Sequence, residues 1–381
     1  MRHSLTLCIL CLLLVGNVAK AQNRDINRIV PNKDYIGLYF EDDFFYNNNF
    51  DEQYSGGIEL EWVHSIKAPK SKLLNPLQTS NYAVIASYGF TVFTPDSIAA
   101  TQIVRSDRPY ASYQFGSIGF VSIDSITKRK VRAQLYLGWF GTEFPNRVQN
   151  WSHTALTPDT DSALGWNNQI GNGGTFAPNL EIQFDKQFFA LPSCTYPNID
   201  YMQLGFSADI NIGGYLNSGS LGIRMTPISV NSYLSTFITP SIPEGFIVEK
   251  DTSSNGIVTA DTLNYSKLLS RNFVNTFRKD DKDKPTINRG RNWAFNIYAF
   301  PQLRFIGHSS SLQGLLFNDQ SVYTLNSSEV NRFLWNWEFG SNVVIARHLH
   351  IGASVQIRKA EHTKFNKNTH SFGAVSLGYT W

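Results

Sequence analysis

The sequence predicts an all-β protein: an antiparallel transmembrane β-barrel of about 12 strands with a short helix in one extracellular loop. Three observations carry this reading. The chain opens with an export signal, most of it alternates apolar and polar residues with a period of two, and it ends on an aromatic residue.

The opening segment, "MRHSLTLCILCLLLVGNVAKAQ", has a basic start, an apolar run from Leu5 to Val15 and small residues at Ala19 and Ala21. That pattern predicts a signal peptide over residues 1–21 and a single barrel domain over 22–381. Cys8 and Cys11 leave with the signal, so Cys194 is left alone and no internal disulfide forms. Loss of Arg2 and Lys20, with no acid, takes the formal charge from +3 to about +1 (3 − 2). That balance excludes a nucleic-acid binder. No segment beyond the signal approaches the ~18 apolar residues of a membrane helix.

The alternation is sharpest near the C-terminus. In "FLWNWEFG", Phe333, Trp335, Trp337 and Phe339 share one face, opposite Asn336 and Glu338. In "SFGAVSLGYTW", Val375, Leu377, Tyr379 and Trp381 share a phase. Strands are expected at 34–45, 54–66, 80–93, 112–124, 129–142, 174–188, 201–213, 217–227, 292–307, 333–344, 348–360 and 371–381. With both termini periplasmic, the 46–53, 94–111, 143–173, 308–332 and 361–370 connections face outward, and the tight "SITK" and "ARHL" links face the periplasm. Residues 228–291, with their "RKDDKDK" run, are long for a periplasmic turn and suggest an additional hairpin.

Two stretches carry candidate chemistry. In "FEDDFFYNNNFDEQYSGGIELEW" (40–62), alternation aims Asp43 and Ser55 into the barrel near its outer rim, and puts Asp42 and Tyr54 in the lipid-facing phase. In the 143–173 loop, Gln149 and His153 stand four apart, on one face of a helix. Histidine is the side chain best suited to act as a general base near neutral pH. Trp151, Trp166 and Asn168 would clamp this loop to the rim or touch lipid headgroups. Arg108 is read as a structural partner of an interior acid rather than a phosphate ligand.

These motifs together resemble those of the lipid A 3′-O-deacylases of Gram-negative outer membranes. The family's Asn-Asp pair corresponds to "FEDDFF" and its Asp-Arg-x-Tyr-Thr-x-Gly segment to "DEQYSGG". "FTP" (93–95) and "DRPYASY" (107–113) match its next two motifs, "QNWSH" its Gln-x-x-x-His, "GWNNQ" (165–169) its Gly-Trp-x-x-Gln, and "HSFGAVSLGYTW" its last strand. The resemblance implies a calcium-dependent, twelve-stranded outer-membrane barrel that hydrolyses the ester-linked 3′ acyl group of lipid A within lipopolysaccharide. Its partners are that substrate and the surrounding outer-membrane lipids; no protein partner is implied. It places the catalytic set at His153, Gln149, Ser55, Asp43 and Asp42, with Asp43 and Asp42 as metal ligands. Glu41, Asp159 and Asp161 are further oxygen donors within reach. Asp42 departs from the family's Asn, and Glu52 from its Arg. Alternative readings are an outer-membrane phospholipase with a Ser–His pair and a non-catalytic barrel or small channel.

Overall fold

The computed structural model describes residues 34–43, 53–79, 81–124, 127–156, 161–192, 199–230, 293–317, 321–346, 348–364 and 368–381. The expected signal peptide, Cys194 and Asp159 lie outside the described residues. One sheet contains thirteen strands: β1 (Tyr35–Asp42), β2 (Gly56–Ser65), β3 (Asn81–Phe93), β4 (Ala111–Asp124), β5 (Arg129–Phe140), β6 (Thr175–Phe176), β7 (Asn179–Pro192), β8 (Ile199–Gly213), β9 (Leu216–Val230), β10 (Trp293–Ser309), β11 (Phe333–Ile345), β12 (Leu349–Lys359) and β13 (Thr369–Thr380). All pairings are antiparallel. β1 pairs with β13 from Tyr35↔Thr380 to Asp42↔Gly373, and this seam closes the barrel.

The expected strands recur at nearly the expected bounds, with one difference. The 174–188 candidate divides into the two-residue β6, which pairs with Trp139 and Phe140, and the long β7. Positive φ at Gly173 and Gly174 turns the chain just before it. The additional hairpin expected within 228–291 falls almost wholly outside the described residues. β9 nevertheless hydrogen-bonds directly to β10, so no strand stands between them.

The two faces of the wall differ in chemistry. Outside, Leu38, Leu60, Ile118, Leu135, Ile182, Ile210, Leu221 and Leu377 are exposed and form the apolar band that lipid covers. Aromatic residues flank the band. Trp62, Trp293, Tyr379 and Trp381 stand near the short-turn end, and Trp139, Phe176, Phe305 and Phe333 near the loop end. Inside, ion pairs join Lys130 to Asp185 (2.7 Å) and Arg132 to Glu61 (2.5 Å). Arg224 lies over the rings of Tyr298 and Phe300 at 4.9 and 4.4 Å. Towards the loop end the interior is closed by Tyr54, Phe93, Tyr113, Phe115, Phe140 and Phe372. Large side chains thus fill a lumen of this strand number, as expected for a packed barrel rather than a wide conduit.

The 43–55, 94–110, 141–178, 310–332 and 360–368 connections all emerge at one end, since successive strands alternate in direction apart from β6 and β7, which run the same way. The short links 125–128 and 346–348 are at the other. Short turns face the periplasm in barrels of this kind, so the loop end is extracellular.

Candidate active site

The register of the first four strands defines the site. Asp42 opposes Gly56, Gly56 opposes Val92, and Val92 opposes Ser112. One pleat below run Phe40, Ile58, Phe90 and Gln114. Residues directly opposed in an antiparallel pair share a face. Glu41, Gly57, Thr91 and Tyr113 form the intervening row, whose side chains point inward, so the Asp42 row lies on the outside of the wall. Lipid does not cover the wall there. Phe90 and Val92 are buried with Ile98, Tyr110, Ala163 and Trp166, and Ile58 and Val148 pack on the same cluster. Two extracellular loops have folded back over the outer surface of β2–β4.

This corrects the expected direction of the strand-end residues. Tyr54 is inside the barrel, not facing lipid: its hydroxyl donates to Glu41 Oε2 at 2.6 Å and its ring packs on Phe93 and Phe372. Ser55 therefore turns to the opposite side, where its hydroxyl meets that of Thr94. The phase slips at Gly56, whose φ of 147° belongs to a region that L-residues avoid. A Cβ there would lie 2.7 Å from the Glu41 carbonyl oxygen and 3.4 Å from Asp42 Oδ2. Gly56 thus permits the slip and leaves space beside Asp42. Asp43 is buried one residue beyond the β1 ladder. Asp42, assigned to the lipid phase by alternation, does lie on the outer face, but on the part that the loops roof over. Glu41 is on the other side of the wall, engaged by Tyr54, and takes no part in this face.

The roof is α1 (Glu143–Leu156). Glu143 in its first turn complements the helix dipole, and His153 lies in its last turn. Pro145 sits where a helix has no N–H partner to lose. Its buried positions are 145, 149 and 153, a stripe of spacing four. A helix on a protein surface normally buries aliphatic residues along such a stripe. This one buries Pro145, Gln149 and His153, with both polar side chains 6% exposed. Phe144 meets Phe90 edge-on at 5.6 Å and Val148 packs on the cluster that holds Phe90 and Val92, which seats the helix on the outer face of the wall at β3 and β4, in the rows that continue to Asp42. Trp151 points away and is 63% exposed.

The returning chain locks the helix. His153 Nδ1 is 2.8 Å from the Asp161 carbonyl oxygen. A carbonyl only accepts, so Nδ1 carries the proton and neutral His153 has its basic lone pair on Nε2. Asn150 Oδ1 accepts from Ala163 N–H at 3.0 Å. Trp166 packs edge-on against Tyr110 at 5.0 Å, Gln169 Oε1 accepts from Ser112 Oγ at 2.8 Å, and Asn168 donates to the Thr101 carbonyl at 2.9 Å. "GWNNQ" and "DRPYASY" are therefore the clasp of the roof. Trp166 and Asn168 clamp the loop as expected; Trp151 does not.

Arg108 is structural, as expected, though the acid it faces is in a loop rather than among the strands. Its side chain is buried, it donates to the Gln53 carbonyl oxygen and to Ser311 Oγ, it lies 3.7 Å from Glu361, and it stacks 4.5 Å over Phe93. Burial lowers its pKa to about 10. Burial would raise the Glu361 carboxyl, but Arg358 and Arg108 outweigh it and hold that carboxyl below the ordinary range.

Among the described residues no group of three or more His, Cys, Asp or Glu side chains gathers as a ready metal cage. The side-chain donors on this face, the Asp42 carboxylate and the Ser55 and Thr94 hydroxyls, are nevertheless all oxygen, and the buried Asp43 carboxylate is the next residue along the chain. That chemistry fits calcium, which completes its shell with backbone carbonyls and water, better than it fits zinc. Asp161 offers its carbonyl to His153, while its own side chain lies in an exposed residue.

A family model described as "Outer membrane protein LpxR" matches residues 6–381. The chain belongs to the LpxR family. LpxR from Salmonella typhimurium superposes with a TM-score of 0.61 at 13% identity, over 91% of this chain and 99% of that one. The β domain of the Bordetella autotransporter BrkA gives 0.39 at 6% identity, over 92% and 98%. No curated protein sequence matches the chain. The LpxR family is the lipid A 3′-O-deacylase family that the motifs resemble, and the chain is an integral outer-membrane barrel.

Several residues of this LpxR-family site escape a reading of the sequence alone. Thr94, Gly56 and Gln53 carry no periodic signal, because each lies where a strand gives way to a loop. The φ of +66° at Gln53, a non-glycine, appears only in the fold.

Proposed function

We propose that this LpxR-family protein is a lipid A 3′-O-deacylase whose reaction takes place on the outer surface of the barrel wall, between β1–β3 and α1. The observation that supports the reading is the buried stripe of α1, Gln149 and His153, on a helix packed over the Phe90 and Val92 cluster of the same outer wall surface on which Asp42 lies. A lipid anchored in the outer leaflet reaches the outside of the wall by lateral diffusion, whereas the lumen is packed with side chains.

In the proposed reaction, His153 Nε2 takes a proton from a water molecule as its oxygen attacks the 3′ ester carbonyl. Nδ1, committed to the Asp161 carbonyl, keeps the imidazole in the tautomer this step needs. Ser55 and Gln149 orient the water and donate to the developing oxyanion. The intermediate then collapses, and the His153 imidazolium returns its proton to the departing sugar oxygen. The products are a carboxylic acid and a 3′ hydroxyl. Calcium held by Asp42 and Asp43 would supply positive charge opposite the oxyanion. Water, not Ser55, serves as the nucleophile, since the Ser55 hydroxyl is hydrogen-bonded to Thr94 and not to a histidine. That arrangement also separates this site from the Ser–His phospholipase alternative.

The test uses purified, refolded protein in mixed micelles containing both lipopolysaccharide and glycerophospholipid. Release of fatty acid from the lipid A 3′ position alone, lost with a calcium chelator, is the expected outcome. Release from phospholipid with unchanged lipid A would overturn the assignment.

A further inference from the structure

Three loops meet at one buried side chain that the proposed reaction does not use. Gln53, two residues before Ser55, is 2% exposed and has every polar group engaged. Its N–H donates to the Thr94 carbonyl at 3.1 Å, and its own carbonyl accepts from Arg108. Its Nε2 donates to Asp107 Oδ1 at 3.1 Å, and its Oε1 is 2.7 Å from His362 Nε2. Asp107 is itself fixed, accepting N–H bonds from Asp96 and Arg108 at 2.7 Å each.

Proton positions follow from chemistry. The Asp107 carboxylate only accepts, so the Gln53 amide must turn its NH2 towards it and its oxygen towards His362. His362 Nε2 must then carry a proton and donate. His362 comes from the β12–β13 loop, whose backbone bridges to Val330 of the β10–β11 loop. The strand start that bears Ser55 is thus clamped by the neighbouring β12–β13 loop of the rim, which is itself tied to the β10–β11 loop. Gln53 also holds a left-handed backbone at φ 66°, a conformation that persists in a non-glycine only where the surroundings over-determine it.

We infer that His362 is a positioning residue for the proposed deacylation: its donated hydrogen bond to Gln53 fixes the 53–55 segment, and so the Ser55 hydroxyl, against Thr94. This deepens the deacylase reading and rests on it. His362 touches neither substrate nor the reacting atoms in this account.

The experiment compares wild type with His362→Phe, which keeps a flat ring but removes the donor, and His362→Gln, whose amide nitrogen replaces Nε2. Gln53→Gly serves as a second variant, because glycine accepts the left-handed backbone and folding is spared. Lipid A turnover and amide hydrogen exchange at residues 53 and 55 are read in parallel. His362→Phe and Gln53→Gly are expected to lower kcat about tenfold or more with KM near wild type, as small misplacements of catalytic groups do. His362→Gln is expected to recover most of that loss. Exchange at 53 and 55 should quicken in the first two variants while strand-centre amides stay protected. Wild-type kcat in both His362→Phe and Gln53→Gly, or unchanged exchange at 53 and 55, overturns the inference. If wild type itself leaves lipid A intact, the deacylase reading fails, and the exchange result alone decides whether His362 holds the segment.

Discussion

Asp42 is, with Glu52, one of the two positions at which this chain departs from the motifs it resembles, and its place in the fold explains how a carboxylate is tolerated there. It lies at the end of β1, only partly buried, beside the space that Gly56 leaves open. An Asn at this position would keep one oxygen ligand and lose a negative charge. Asp42→Asn is therefore expected to raise the calcium concentration needed for half-maximal lipid A turnover while leaving turnover at saturating calcium within a few-fold of wild type. A calcium titration of the purified variant checks this. Gly56 is the second residue on which the local geometry turns. Gly56→Ala forces a methyl against the Glu41 carbonyl at an unfavourable φ and should cost about 1–3 kcal/mol, seen as a lower urea midpoint together with lost turnover. Neither effect is legible in the sequence, because strict alternation predicts the wrong face for both Tyr54 and Ser55. A period of two carries no signal for the single residue at which the phase slips.

At the scale of elements, most of the architecture was readable. Long strands with one apolar face specify their own register, and the odd–even rule places every loop at its correct end. The i,i+4 spacing of Gln149 and His153 predicted a helix, and α1 extends it to 14 residues. What spacing did not reveal is where that helix docks, which depends on Phe90 and Val92 of a distant strand meeting Phe144 and Val148. The clasp is equally non-local. Trp166, 3% exposed, joins the returning loop to Tyr110. Trp166→Ala should remove about 3–5 kcal/mol of local packing. The barrel itself should survive, since its strands do not depend on that ring. The expected outcome is rapid proteolytic nicking within 143–170, with folded-barrel mobility on gels retained after cleavage; an uncut loop would contradict the clasp.

The whole molecule divides its work between two faces of one wall. The interior carries charge pairs and rings that hold the cylinder shut, and the exterior presents lipid-facing residues except where α1 roofs the site. Breaking the buried Lys130–Asp185 pair by Asp185→Ala leaves an uncompensated cation, so stability should fall by about 3–5 kcal/mol, measured by urea unfolding in lipid vesicles. The loop network adds a pH dependence. Burial first, and then the charge of Arg108, push the pKa of His362 down to about 4, against the opposing pull of Asp107 and Glu361, with Lys364 acting alongside Arg108. The unfolded chain binds a proton near pH 6.5 that the folded chain refuses until about 4, so stability is full above 6.5 and declines as pH falls through that window. Unfolding midpoints between pH 4 and 7 should follow this slope in wild type and flatten in His362→Gln.

The central claim is that His153, on the buried stripe of α1, activates water against the 3′ ester of lipid A. Mass spectrometry of lipid A from a deacylase-free Gram-negative host expressing the protein tests it most directly, with wild type and His153→Ala compared at equal levels of folded, surface-located barrel. The account predicts loss of the 3′ acyl or acyloxyacyl group with wild type and a fall of at least about 100-fold in that product with His153→Ala. Intact lipid A with wild type, or equal deacylation by the two proteins, would contradict it.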